Sequence, residues 1–229
     1  MRRDRNGLER ASLTRLFTRT ERPSAIVERA VLVMQRGGTI VFPTDTVYGI
    51  GCDPLSEEGV AQIYRLKRRP ANKALSLHFG TVEELLEYAA GNTLAAELAR
   101  AFVPGAITIV VRRPGFVPDW VTGGLPTLGL RVPKHRLCAT MLNRCGPLAA
   151  TSANASGSPA YAGEGPLPPE VEGADLLIDD GPTALRIEST VVDVSQGEVR
   201  IVREGAIRKD MLDDVLGVRS TAADAAGRG

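Results

Sequence analysis

The segment from Gly37 to His78, GGTIVFPTDTVYGIGCDPLSEEGVAQIYRLKRRPANKALSLH, constrains the fold more than any other part of the chain. A glycine pair leads into a short β-branched strand, Thr39 to Phe42, which Pro43 must end because proline cannot donate to a sheet ladder. A run of hydroxyls follows at Thr44, Thr46 and Tyr48, with Asp45 among them. Ser56 then caps a helix over 57–68 whose buried side is Val60, Ile63 and Tyr64, and Pro70 forbids its continuation. The helix end carries Lys67, Arg68, Arg69 and Lys73. A strand end that offers hydroxyls, followed by a helix end that offers cations, outlines a pocket for something small, polar and anionic. The chain has no G-x-x-x-x-G-K-[ST] loop and no G-x-G-x-x-G turn after a strand, so any phosphate must be held mainly by side-chain cations.

Elsewhere the pattern alternates between helix and strand. Ile26, Val27, Ala30, Val31 and Met34 form one stripe of a helix over 24–36, with Ser24 as its N-cap and Gly37–Gly38 as its stop. A strand at 74–79 precedes a helix at 82–90 that opens on a Thr81/Glu84 capping box, and a second helix covers 93–102. Strands are expected at 106–112 and 128–132, joined by a long Pro/Gly-rich loop at 114–126 that could act as a lid. A helix at 136–144 leads to the apolar run Pro147–Ala150; strands at 175–179, 189–194 and 198–203 and a helix at 207–216 complete the pattern. Early crossovers suggest parallel pairs and the late hairpin an antiparallel one, so the expected fold is a single α/β domain with a mixed sheet and flanking helices. That domain covers 23–217. It lies between a basic, flexible arm at 1–22, with seven Arg against three acids, and a flexible tail at 218–229.

Charge and thiols exclude several classes. A net charge of +1 leaves bulk polyanion binding unsupported, so any weak RNA contact would need a local patch. Cys52, Cys138 and Cys145 form no C-x-x-C pair, and His78 and His135 lie far apart; this argues for reduced thiols, no bound structural metal and a cytoplasmic setting. No stretch of about 18 apolar residues is present, and no membrane association is expected.

Four groups of residues carry potential chemistry, and each has a plain alternative. Lys67 and Arg69 could converge on a polyphosphate as point charge and fork, or could be the solvated cations that helix C-termini favour. Thr151-Ser152-Ala153-Asn154-Ala155-Ser156-Gly157 could hold phosphate oxygens, or could be an ordinary polar turn. Ile187 to Asp193, a strand entered by the polar Glu188 and Ser189 and followed by Arg200 and Arg203, could border a site or simply be a core strand. Arg131 stands within the apolar run LGLRVP, where a charge is costly unless it faces solvent, a partner or a ligand. His78 could serve as a base, although a lone histidine at a strand end is more often structural.

The order of these segments resembles the YrdC-like family of threonylcarbamoyl-AMP synthases. The resemblance covers about residues 24–210 and rests on P-T-D-T-V-Y-G at 43–49, K-x-R-P at 67–70, P-G-x-x-T at 104–108 and R-V-P-x-H at 131–135. It continues through S-A-N-x-S-G at 152–157, S-T-V-V-D at 189–193 and R-x-G-A-I at 203–207. It implies a twisted mixed sheet with a large concave pocket. It also implies a nucleotidyltransferase that forms L-threonylcarbamoyladenylate and pyrophosphate from L-threonine, bicarbonate and ATP, with Mg2+ accompanying the nucleotide. The product would pass to the tRNA threonylcarbamoyl-transfer machinery for N6-threonylcarbamoyladenosine formation.

Carried over by motif, Thr46, His78, Arg131, Ser189 and the backbone near Ala150 would hold threonine, with Arg131 on its carboxylate. Arg69, Lys73, Thr127, Ser152, Ser158 and Arg203 would hold ATP, and Lys67, Arg69 and Asn154 would form the catalytic floor. Lys67→Ala is expected to abolish activity and leave the fold intact. Two departures stand out: the helix after R-V-P-x-H is one residue short, and Ser158-Pro159-Ala160 replaces the family's commoner S-P-T, which weakens the assignment of Ser158. The competing readings are a non-catalytic module that binds structured RNA and a carbamoyl-transfer domain of the hydrogenase-maturation type. The latter sits in longer chains with zinc-finger-like cysteines, which this chain lacks.

Overall fold

The structure is a computed structural model that describes residues 13–169 and 172–217, together with the backbone strands at 2–3, 9–10 and 221–222. Two short strands, β1 (Arg2–Arg3) and β2 (Glu9–Arg10), pair antiparallel with each other. The main chain then runs through β3 (Thr14–Phe17), α1 (Pro23–Gln35), β4 (Ile40–Phe42), β5 (Gly49–Cys52), α2 (Glu57–Lys67) and β6 (Ser76–His78). The middle of the chain forms α3 (Val82–Tyr88), α4 (Thr93–Phe102), β7 (Ile107–Arg112), α5 (Asp119–Thr122), β8 (Thr127–Arg131) and α6 (Arg136–Cys145). It closes with β9 (Leu148–Ser152), β10 (Leu176–Asp179), β11 (Thr190–Asp193), β12 (Arg200–Arg203), α7 (Lys209–Leu216) and β13 (Thr221–Ala222).

One sheet of eleven strands organises the domain, in the order β13-β12-β11-β7-β8-β6-β9-β5-β4-β10-β3. The pairing is mixed, as expected. β6 runs parallel to β8 and β7 parallel to β11, whereas β9 is antiparallel to both β5 and β6. The β11–β12 hairpin is antiparallel. The first two core strands depart from the expected crossover: β4 and β5 form an antiparallel neighbour pair.

Period-two alternation divides the core. Ile40 and Phe42, Leu148 and Ala150, and Leu176 and Ile178 point to one face, where they pack against Ile26, Ala30 and Met34 of α1 and Cys138, Met141 and Leu142 of α6. Val41, Ala149 and Leu177 point to the other, into the larger cluster with Val60 and Ile63 of α2, Leu85 of α3, Leu98 of α4 and Leu212 of α7. Each fully buried aliphatic side chain here contributes about 1.5–3 kcal/mol. In the first cluster α1 and α6 pack on β4, β9 and β10. The cleft described below is lined by β6, β8, β7 and β11, which follow β9 in the sheet.

Several local expectations need correction. Ser24 does not cap α1: Arg22 is its N-cap and Pro23 occupies the first turn, where the missing N–H costs nothing. Thr14–Phe17, expected within a flexible arm, is an edge strand in register with Leu176–Asp179, and Arg15 is ion-paired to Asp179. Positions 1, 4–8 and 11–12 of the arm and 218–220 and 223–229 of the tail lie outside the described residues. The 114–126 segment is not a free loop. It contains α5, buries Val117, Val121 and Thr122, and is tied down by Trp120 Nε1 donating to the Pro54 carbonyl (3.0 Å). Ser56 and Thr81 do cap α2 and α3, accepting from the Gly59 and Glu84 amides.

Candidate active site

The uncovered strands form the floor of a cleft of about 710 Å³. Register explains which side chains reach it. Ser76 and His78 on β6 lie opposite Gly129 and Arg131 on β8, and Ser76 also lies opposite Ala150 on β9, so all of these share one face. Val110 on β7 is the partner of Gly129 and so joins that face, and Asp193 on β11 follows as the partner of Val110. Gly129 keeps the floor open: a Cβ there would approach Ser76 Oγ to 2.6 Å and Thr108 Cγ2 to 3.1 Å. A similar constraint shapes β5, where a Cβ on Gly49 would meet the Phe42 ring at 2.8 Å.

The cleft is strongly cationic for a chain of net charge +1. Lys67, Arg69, Lys73, Arg131, Arg200 and Arg203 line it, against only Glu188 and Asp193. Both acids are engaged: Glu188 pairs with Arg203 Nη1 at 2.9 Å and Asp193 with Arg200 Nη2 at 3.0 Å. A low-dielectric concavity lined by one sign of charge concentrates anions.

Lys67 is not a solvated helix end. It is buried at 1% exposure in the last turn of α2, where Arg68 ends the helix in the left-handed region (φ 47°). Its Nζ donates to the main-chain carbonyls of Ser152 and Asn154 and, at 3.2 Å, to Asn154 Oδ1. Ser152 Oγ donates to the same Oδ1 (2.6 Å), while Asn154 Nδ2 donates to the Ser158 carbonyl. The Ser/Asn segment is therefore a hydrogen-bonded cradle built on a lysine, not an ordinary turn. Arg69 lies beside it, with Nε donating to the Lys73 carbonyl (2.9 Å) and Nη2 to the Ala74 carbonyl (2.6 Å), which folds the 70–74 loop against the cleft. Burial holds the Arg69 guanidinium below its ordinary pKa.

Arg131 and His78 form a second grouping. Both are buried, and both have a ring or guanidinium nitrogen without a partner, Nε of Arg131 and Nδ1 of His78. An unpaired buried polar atom of this kind, a donor in Arg131 and a donor or acceptor by tautomer in neutral His78, has an unmet hydrogen-bonding requirement that a ligand can satisfy. Arg131 Nη2 donates to Asp45 Oδ1 (2.8 Å) and Thr46 Oγ1 (2.7 Å). Burial pulls the Arg131 guanidinium down, opposed by the Asp45 charge. Burial, and then the Arg131 charge, push His78 down to about 3, so its imidazole is neutral at ordinary pH. Nearby, Thr108 Oγ1 and Ser189 Oγ share a hydrogen bond (2.9 Å), and Arg203 Nη2 donates to the Ser189 carbonyl (2.8 Å).

The cleft brings together Lys67, Arg69, Lys73, His78, Thr127, Arg131, Ala150, Ser152, Asn154, Ser158, Ser189 and Arg203. Thr46 is the exception among the expected residues: it is fully buried behind Arg131 and does not line the cleft. Sequence reasoning placed Glu188 and Arg200 only in a segment that could border a site, and it gave Asp45 and Thr108 no role of their own. Asp45 could have been found, because a buried Arg131 requires an acid and Asp45 lies within a motif already singled out.

Among the described residues, no group of three or more His, Cys, Asp or Glu could hold a metal ion, and no helix is long and apolar enough to cross a membrane. All three cysteines are free, and burial pushes the Cys52 thiol up to about 12, which makes it a poor nucleophile.

Comparison with known proteins follows from this geometry. The Sua5–YciO–YrdC family model, described as "Telomere recombination", matches residues 32–205. The threonylcarbamoyl-AMP synthase of Pyrococcus abyssi (strain GE5 / Orsay) is 34% identical over 187 residues, covering 80% of this chain and 55% of that protein. The threonylcarbamoyl-AMP synthase of Bacillus subtilis (strain 168) is 31% identical over 195 residues, 83% of this chain and 56% of that protein. The chain thus spans about half the length of these two curated relatives. The crystal structure of P. abyssi Sua5 complexed with L-threonine matches with a TM-score of 0.82 at 31% identity, over 94% of this chain and 63% of that one.

Proposed function

Because the chain belongs to the Sua5–YciO–YrdC family, we propose that it is a nucleotidyltransferase that forms L-threonylcarbamoyladenylate and pyrophosphate from L-threonine, bicarbonate and ATP. The observation that carries this reading is the pairing, in one cleft, of a buried arginine with an unsatisfied Nε and a wall of phosphate-compatible cations. The names of its relatives agree with it. So does the threonine bound in a protein of the same fold.

Arg131 takes the threonine carboxylate, with His78 and Ser189 beside it as hydrogen-bonding groups. A histidine with a pKa near 3 is a poor base, so His78 orients the substrate and does not deprotonate it. The threonine amine must be neutral to attack, and the cations and dry walls around it favour that form. Its nitrogen forms a bond to the carbon of bicarbonate or carbon dioxide, giving a carbamate with loss of water from bicarbonate, or with loss of the amine proton to solvent when carbon dioxide reacts. A carbamate oxygen then bonds to the α-phosphorus as the bond to the β-phosphate breaks and pyrophosphate leaves. Arg69, Lys73 and Arg203 offset the charge of the phosphates, with Thr127, Ser152 and Ser158 along the nucleotide. Lys67 and Asn154 hold the floor on which the α-phosphate sits.

The carbamate is short-lived in water, so positioning and water exclusion provide most of the catalysis. The two acids of the cleft are already paired with arginine, which fits Mg2+ entering on the triphosphate and not in a protein cage. When bound, the ion neutralises phosphate charge. The product is then consumed by a partner that carries the threonylcarbamoyl group to adenosine in tRNA.

The test is pyrophosphate release from ATP by the purified protein with Mg2+, leaving out threonine or bicarbonate in turn. Release that requires both supports the synthase. Absence of release together with salt-dependent RNA binding would favour a binding module instead.

A further inference from the structure

We infer that Asp45 is the residue that positions Arg131 for the amino-acid carboxylate, acting through the guanidinium and not on the substrate. The inference rests on the proposed threonine site and deepens it.

Asp45 is itself buried, at 7% exposure, and its carboxylate is almost as enclosed as the guanidinium it meets, with side-chain exposures of 8% and 6%. A buried charge pair stays in place only when its geometry is good and its remaining lone pairs are satisfied. Here Asp45 Oδ1 accepts from Arg131 Nη2 at 2.8 Å and from the Lys134 amide at 3.1 Å. The Asp45 carbonyl accepts from the Leu185 amide at 3.0 Å. Asp45 therefore ties three chain segments together at one point: the loop after β4, the turn after β8 and the segment before β11.

The second anchor has a defined proton order. Thr44 Oγ1 donates to the Val47 carbonyl (2.7 Å) and accepts from the Thr46 amide (3.1 Å). With its own proton committed, Thr44 can only accept from the Thr46 hydroxyl at 3.0 Å. Thr46 Oγ1 is then left to accept from Arg131 Nη2 at 2.7 Å. The relay runs from Arg131 to Thr46 to Thr44 to the Val47 carbonyl, and it leaves Thr46 no hydrogen to offer a substrate. Two acceptors on one nitrogen fix the guanidinium plane, and the unpaired Nε remains as the donor for a carboxylate. Asp45 does not line the cleft; it lines a second, smaller cavity with Lys134, His135 and Asp180, and Thr44 borders both.

The experiment compares threonine and ATP binding, each by calorimetry and without turnover, in the wild type, Asp45→Asn and Arg131→Ala. Asp45→Asn keeps the size and the acceptor but removes the charge. The expected result is a loss of threonine affinity of roughly tenfold or more with ATP affinity unchanged, as expected when a supporting partner of a binding group is lost. Threonine binding by Asp45→Asn equal to wild type, with binding lost in Arg131→Ala, overturns the positioning role and leaves the proposed site standing. Wild-type threonine binding by Arg131→Ala overturns the site itself.

A second measurement needs no variant. The Arg131 Nε–H resonance of the wild-type protein should be resolved and slowly exchanging before threonine is added, and should shift on its addition. A signal averaged as in a solvent-exposed arginine overturns the inference even if Asp45→Asn fails to fold.

Discussion

His78 and Arg131 are register partners on the adjacent parallel strands β6 and β8, so their side chains leave the sheet together into the cleft. Burial is the main reason the histidine stays neutral, and the neighbouring guanidinium adds to it, since an enclosed imidazole beside a positive charge loses more by charging than a free one.

The same relationship sets a pH dependence of stability. An ordinary imidazole titrates at about 6.5, and His78 does so at about 3. Between these values the unfolded chain binds a proton that the folded chain does not. Stability from this group is complete above pH 6.5 and falls as the pH drops toward 3, by about 1 kcal/mol per unit. Urea midpoints of the wild type and His78→Gln from pH 7 to 4 should converge as the pH falls. Parallel profiles would show that His78 does not stay neutral.

Lys67→Ala should abolish pyrophosphate release and also lower stability by about 1–3 kcal/mol. It removes the ammonium donor from the Ser152 and Asn154 carbonyls inside a buried cradle, although Ser152 still accepts from the Asn154 amide (3.1 Å). Lys67 is 1% exposed, so the expectation of an intact fold narrows to a folded but less stable protein. Chemical denaturation beside the release assay checks both parts, and turnover within twofold of wild type would sink the assignment.

Arg203→Ala should raise the KM for ATP roughly tenfold and change stability by less than about 1 kcal/mol. The Arg203–Glu188 pair is substantially exposed, with side chains at 42% and 35%, and pairs of this kind contribute little to folding. Initial rates against ATP, compared with a melting curve, separate the two effects.

Ser158→Ala should change the KM for ATP by less than about threefold, because the contact made here is its main-chain carbonyl, which accepts from Asn154 Nδ2. Ser152→Ala should cost more, since Ser152 Oγ donates directly to Asn154 Oδ1 and its loss frees that group to rotate. Equal effects of the two substitutions would mean that the cradle is organised differently.

Much of the architecture was legible where periodicity was strong. Helices α2, α4 and α6 and strands β7, β8 and β11 fall within a residue or two of their expected limits, because their apolar spacing and caps agree. β5 was missed: Gly49-Ile50-Gly51-Cys52 carries little strand signal, and its glycines answer to the Phe42 ring crossing them, a tertiary cause. β3 was hidden for the opposite reason, since an edge strand needs only one apolar side and resembles a basic arm. The site residues came from motif order. Their connections did not, because Lys67 meets Asn154 across 87 positions and Arg131 meets Asp45 across 86.

The central claim is that one cleft joins threonine, bicarbonate and ATP. Mass spectrometry of the products formed with ¹³C-bicarbonate tests it most directly. The account predicts an adenylate that contains threonine and carries one heavy carbon, and that disappears when threonine is withheld. ATP turnover that yields no threonine-containing adenylate, or one without the label, would contradict it.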